Sequence, residues 1–478
     1  MHRKLNECAL ATYCIPLQID LSAEFTGLGA KIRTESKSEL GEHLREFTQY
    51  IDGEQPDNWL IVDIESPVEP FDSAFEAARY ARPRLMILLS AISYLADYPF
   101  LPAQSVSGRV SLIETPVLIG AEPEVITFRV GGTDFRRDLR TLLLALADPD
   151  ESTRSFLASA LDRFRRGLYL HSESAEEPLF DDEAFLAYFH TLELLSHQCS
   201  KSQTKELETE LSVFLKPLLR DTLKASDQSL EERSIDIKKQ IISLLVQEGN
   251  LPTSSSIKYF LDQRGLLAPG VADLVDRLVT IRNSVAHGKQ VYRDDLIWPV
   301  PQFFPLHPDT GFYLESIKLL AAQGIAALVD VRCWQSPWNQ LIRDLPPSVH
   351  TVRAFVRSQQ YSKISHRDFV SGTLDGVTPS AIVELYVSKK LQLKQLVEIL
   401  SPILTSNELE ADWKEELTVA AAILSDAEDQ SLADRCRQLV REWEDPRDLR
   451  VIYRDLQYSG VTLHWLRDFL RSESTNQL

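Results

Sequence analysis

The stretch VADLVDRLVTIRNSVAHG, Val271 to Gly288, carries apolar residues at helical spacing. At about 100° per residue, Val271, Leu274, Val275, Leu278, Ile281 and Val285 form one stripe suited to packing. Asp276, Thr280, Asn283 and His287 fall on the other side, and Gly288 stands where a helix C-cap belongs. Asn283 and His287 are one turn apart, a spacing that lets the amide orient the imidazole. Arg282 breaks the pattern because it projects into the apolar stripe. An unpaired buried guanidinium costs several kcal/mol. Arg282 must therefore reach water along its stem or meet an anion where the helix packs.

Outward from this helix, the chain separates into regions of different periodicity. Residues 1–148 are mixed. Leu17, Ile19 and Leu21 alternate with polar neighbours, as do Ile126, Phe128 and Val130 before Gly131-Gly132, and both read as strands. Trp59 to Ile64 reads as a buried strand. The helical pattern from Phe71 to about Ala96 is expected to kink or split at Pro83. Asp148-Pro149-Asp150 is a break followed by good N-cap residues. Beyond it, helical patterns cover 153–170, 182–198, 204–225, 230–248, 254–264, 270–287 and 312–333. A connection rich in proline (Pro299, Pro301, Pro305, Pro308) lies between the last two. Pro346-Pro347 precedes a further helical region to about 471, with a frayed tail after it. The expected class is α+β: a mixed N-terminal domain (1–148), an all-helical domain (149–340) and a helical C-terminal region (345–471).

Composition narrows the function classes. The 478 residues include 51 Lys and Arg against 70 Asp and Glu, a net charge of −19. That balance argues against coating long duplexes, which calls for a broad basic face, but leaves room for a local phosphate site. The five cysteines are scattered and never spaced C-x-x-C, so neither a disulfide framework nor a zinc knuckle is expected. No run of 18 apolar residues and no signal-peptide core occurs, which leads to the expectation of a cytoplasmic protein without a membrane span. No P-loop, G-x-S-x-G or H-E-x-x-H sequence is present. His190 and His197 share a helix face without a third metal ligand in view. No metal and no cofactor are expected.

Arg282-Asn283-Ser284-Val285-Ala286-His287 resembles the R-N-x-x-x-H form of the motif of HEPN domains, an all-helical family that includes many ribonucleases. The placement matches too, with the motif closing a helix, apolar residues before it and a glycine after it. Upstream, Phe185 to Ser196 is similar to the early helix of Apea-like HEPN domains, which often carries LE-x-L, here Leu192-Glu193-Leu194-Leu195. The resemblance spans roughly residues 153–335. One departure is that toxins paired with a nucleotidyltransferase often read H-x-Y, whereas His287 is followed by Gly288-Lys289 and the nearest tyrosine is Tyr292.

The resemblance implies a metal-independent endoribonuclease that leaves 2′,3′-cyclic phosphate and 5′-OH ends. His287 would be general acid or base, Arg282 the phosphate clamp, Asn283 the orienting amide and Glu193 the group that holds Arg282. It further implies a homodimer with a composite site, RNA as substrate, a setting in anti-phage defence or abortive infection, and a phage or regulatory protein as trigger. Arg163, Arg165, Arg166 and Lys289 are the basic residues expected to contact RNA. The plainer reading of the arginine trio is a solvated helix face that balances nearby acids. The alternative to the nuclease is a non-catalytic HEPN module that binds nucleotide or protein and scaffolds a complex.

Overall fold

The computed structural model describes residues 8–42, 44–45, 56–68, 73–101, 106–113, 115–174, 178–224, 227–245, 251–288, 309–406, 409–443 and 445–476. The fold is α+β: a seven-stranded antiparallel sheet at the N-terminus, then helices. Two compact units divide the chain, one of residues 1–267 and 275–343, the other of 268–274 and 344–478.

In the first unit the strands are β1 (Cys8–Pro16), β2 (Leu21–Gly27), β3 (Ala30–Ser36), β4 (Asn58–Pro67), β5 (Val106–Ile113), β6 (Glu124–Val130) and β7 (Thr133–Asp134). Their order across the sheet is β5-β1-β4-β3-β2-β6-β7. β4 carries the fully buried Trp59-Leu60-Ile61-Val62 expected of a central strand. The β2–β3 hairpin turns through Leu28 and Gly29, both at positive φ (53° and 73°). Glycine tolerates that conformation freely, whereas Leu28 pays a steric cost for it. Leu17 to Asp20 is a connection rather than a strand. Its alternation arises because Leu17 and Leu21 are anchored in the core while Leu17 N–H donates to Asn58 O across the turn.

Two short-range signals set the helices that follow. The expected break at Pro83 is real: α1 (Ala74–Arg79) stops and α2 (Arg82–Ala96) starts with Pro83 in its first turn, where no amide is needed. After β7 come α3 (Arg136–Leu146), which the sequence reading did not resolve, and α4 (Glu151–Glu173). The α4 N-cap is Asp150, whose carboxylate accepts from the N–H groups of Ser152 and Thr153. Next are α5 (Asp181–His197), α6 (Ser200–Pro217) running into a π-turn at Leu218–Thr222, α7 (Asp227–Leu245), α8 (Thr253–Gln263), α9 (Pro269–Ala286), α10 (Asp309–Val329) and α11 (Gln335–Asp344). α4, α5 and α10 pack together, α2 packs on α4, and α8 packs on α5.

α10 is long and apolar enough to cross a membrane by length and composition alone, but most of its apolar window lies inside the protein. Ile317, Leu320, Ala321, Ala322, Ile325 and Ala326 are buried. Lys318, buried in the same helix, is paired with Asp97 and Glu315 at 3.0 and 2.9 Å. α10 is thus a core helix. Burial pushes the thiols of Cys14, Cys333 and Cys436 up to about 12, so they stay protonated at neutral pH.

In the second unit α12 (Val349–Arg357), α13 (His366–Val370) and α14 (Pro379–Val387) start at Ser348, Ser365 and Thr378, each accepting from an N–H three residues on. α15 (Leu393–Leu404), α16 (Lys414–Leu424), α17 (Gln430–Trp443), α18 (Pro446–Tyr458) and α19 (His464–Asn476) complete it around a shared apolar core. Ile382, Leu385, Leu391 and Leu396 are buried there and Tyr386 packs against it, as their spacing anticipates. The tail expected to fray from Arg471 instead continues α19 to Asn476.

One glycine is fixed by packing. A Cβ on Gly167 of α4 would stand 2.5 Å from Tyr188 Cε1 of α5, and Tyr188 is itself fully buried. Replacing Gly167→Ala is expected to destabilise the unit by about 1–3 kcal/mol through overpacking, despite alanine's better helix propensity. Denaturant unfolding checks this: equal or greater stability of the variant would show that the α4–α5 contact yields easily.

Candidate functional site

α9 presents the stripe read from the sequence. Val271, Leu274, Val275, Leu278, Ile281 and Val285 are all buried, while Asp276, Thr280, Asn283 and His287 are exposed. The helix closes as its sequence suggests. His287 N–H donates to Asn283 O, Gly288 N–H to Val285 O, and Gly288 adopts a φ of 61°.

Arg282 meets an anion where the helix packs. Its Nη2 donates to Glu193 Oε1 of α5 at 2.9 Å, with the two side chains 26% and 20% exposed. The guanidinium carbon stands 5.7 Å from the centroid of the Phe189 ring, one turn before Glu193 on the same helix. The apolar position is therefore tolerated because a carboxylate and an aromatic face replace water around the charge. Nε of Arg282 is buried with no hydrogen-bond partner among the described residues.

Asn283 takes a different part from the one expected. Its Oδ1 accepts from Arg282 Nη1 at 3.2 Å, so the amide steadies the guanidinium rather than the imidazole. The chemistry behind this is charge: a guanidinium is the stronger donor for an amide oxygen. The His287 side chain stands exposed one turn further on. Glu193, Arg282 and Asn283 thus form one connected group at the C-terminal end of α9. Phe189 belongs to it and was not singled out from the sequence, although its i,i+4 relation to Glu193 was available as a signal.

The basic trio on α4 does not act as a unit. Arg165 is buried, with Nε donating to Ser90 Oγ (3.0 Å), Nη1 to Phe100 O (3.1 Å) and Nη2 to Asp162 Oδ1 (2.6 Å). Its donors are consumed inside the first unit, which removes it from the RNA-contacting set. Arg166 is exposed and pairs with Asp162 at 2.9 Å. Arg163 is exposed and reaches His190 O of α5 at 3.4 Å. Lys289, Tyr292 and the proline-rich connection lie outside the described residues. Among the described residues no group of three His, Cys, Asp or Glu side chains is placed to hold a metal ion.

Comparison of the chain with family models, curated proteins and solved structures returned no match in any of the three.

Two stability measurements follow from this geometry. Glu193→Ala leaves Arg282 half-buried and unpaired, and should lower unfolding stability by about 1–3 kcal/mol, with Glu193→Gln milder because it keeps an acceptor oxygen. Urea titration of the two variants tests the pair; identical midpoints for wild type and Glu193→Ala would mean that it contributes nothing. Arg165→Ala breaks a buried charged network and should cost about 3–5 kcal/mol. In the same melts Arg163→Ala should shift stability by no more than about 0.5 kcal/mol.

Proposed function

We propose that this chain is a metal-independent endoribonuclease of HEPN type, working as a homodimer in anti-phage defence or abortive infection. The observation that carries the reading is the Glu193–Arg282 pair. The motif arginine is held by a carboxylate from the upstream helix whose sequence carries the same family resemblance, with the motif histidine exposed one turn beyond it.

The chemistry these groups supply is straightforward. The 2′-oxygen of a ribose attacks the adjacent phosphorus while the bond to the 5′-oxygen breaks, giving a cyclic phosphate and a 5′-OH end. One proton leaves the 2′-OH and one is delivered to the departing 5′-oxygen. An imidazole near neutral pKa suits either transfer. His287 takes one of them, and a second copy of His287 across a two-fold axis takes the other. Arg282 offers positive charge to the phosphoryl oxygens, where charge builds up in the transition state. Glu193 and Asn283 fix the guanidinium beforehand, so little reorganisation is left for the reaction itself.

A second reading draws on the same pair. Because Arg282 is already neutralised within its own chain, the motif also suits a non-catalytic module that binds nucleotide or protein. The two part company on incubation with total cellular RNA in excess EDTA. The nuclease is expected to yield 5′-OH and cyclic-phosphate ends, and His287→Ala should slow cleavage at least about 100-fold. Equal cleavage by wild type and His287→Ala would overturn the assignment of the site, and no cleavage by wild type, with or without infected-cell extract, would favour the scaffold.

A further inference from the structure

Far along the sequence from the motif, three guanidiniums gather at one edge of the sheet around a single acid, Asp134. A cavity of about 610 Å³ is lined by Asp134, Arg136, Arg137 and Arg140, with Val125 and Leu144 among its walls. Arg136, Arg137 and Arg140 lie on the first turns of α3, spaced to share one face. Arg129 of β6 is the cross-strand partner of Asp134 and adds a fourth guanidinium beside them. All four arginines are exposed.

Their pairing is uneven. Arg136 is engaged by Asp134, its Nε donating to both carboxylate oxygens at 3.0 and 2.9 Å and its Nη2 lying 2.7 Å from Oδ2. Arg129, Arg137 and Arg140 make no ion pair or side-chain hydrogen bond among the described residues. In a chain of net charge −19 such a cluster is an attractive spot in a repulsive field for any polyanion. Among the described residues, the arginines nearer the motif are mostly engaged. Arg282 is held by Glu193, Arg165 is buried, and Arg166 is paired with Asp162.

We propose that this groove binds the sugar-phosphate backbone of single-stranded RNA and serves as a docking site for the substrate apart from the cleaving motif. Guanidiniums with free donors grip phosphate oxygens in pairs. The walls contributed by Val125 and Leu144 are aliphatic, without the aromatic platform on which bases stack, so recognition there is of backbone and not of sequence. The inference rests on the nuclease reading for the identity of the polyanion, and its test keeps the two separate.

The experiment measures binding without cleavage. A fluorescent single-stranded RNA is titrated with full-length His287→Ala protein across a salt series, then with the same protein also carrying Arg137→Ala and Arg140→Ala. Loss of two phosphate contacts should flatten the slope of log affinity against log salt by about 1.4 and weaken binding about tenfold at low salt. Arg137→Lys with Arg140→Lys should retain most of the affinity, and circular dichroism confirms that each variant is folded. Unchanged affinity and slope in the alanine variant would overturn the docking site, as would no RNA binding at all. Preferential binding of polyglutamate would also overturn it and would assign the groove to acidic protein segments. Cleavage by the wild-type protein is scored separately, so a nuclease without this docking site and a docking site without a nuclease give different results.

Discussion

The hydroxyl of Tyr94 donates to the carbonyl of Ala322 at 2.8 Å, deep in the first unit, and joins residues 228 positions apart. The same ring meets Phe164 edge-on at 5.5 Å and Trp334 at 5.8 Å, and Phe164 in turn meets Tyr188 at 5.5 Å. One aromatic knot therefore links α2, on the sheet side, to α4, α5 and the segment after α10. Burial of rings this large dominates local packing energy, and edge-on contacts add about 0.5–1.5 kcal/mol each beyond area. Everything at the motif depends on this knot, because Tyr188 and Glu193 ride on the same helix. The position of Glu193 is set by rings that never touch Arg282.

At the motif itself, packing and charge have been reconciled by local substitution of solvent. The stripe of α9 must be buried for the helix to dock, and Arg282 lies within that stripe. Phe189 covers the guanidinium face, Glu193 answers its charge and Asn283 Oδ1 accepts a hydrogen bond from it. Its buried Nε–H has no partner among the described residues, which leaves the arginine satisfied in charge and incomplete in hydrogen bonds. A group in that condition is rigid enough to present a fixed direction and still gains from one more acceptor.

The parts of this molecule readable in the sequence are those governed by short-range periodicity and caps. The six apolar residues of α9, the split at Pro83, the Asp150 cap and the helix order from α4 to α10 all follow from spacing and backbone chemistry. Strands were harder. β3 reads AKIRTES, and the first half of its pattern buries only Ala30 and Ile32, so its place inside the sheet comes from pairing with β2 and β4. Leu17 to Leu21 misled in the opposite sense, since a turn can bury alternate residues as a strand does. Within the site, the anomaly of Arg282 is visible in the sequence, and Glu193 is an acid on a helix expected to pack against it. The role of Asn283 turns on its neighbour Arg282, and the burial of Arg165 on partners distant in sequence, Ser90 and Phe100. Periodicity cannot report such partners.

The hydrophobic helix α10 has a consequence for biogenesis. The surfaces that receive it come from α3, α4 and α5, and the acid that neutralises Lys318 from outside the helix is Asp97. All of them precede it in the chain, so by the time α10 leaves the ribosome its seat has already been synthesised. Trp334, the last ring of the knot, follows within a few residues. A segment apolar enough to attract membranes or neighbouring chains thus meets its burial site with little delay, and its buried lysine allows only the docking that brings it to Asp97.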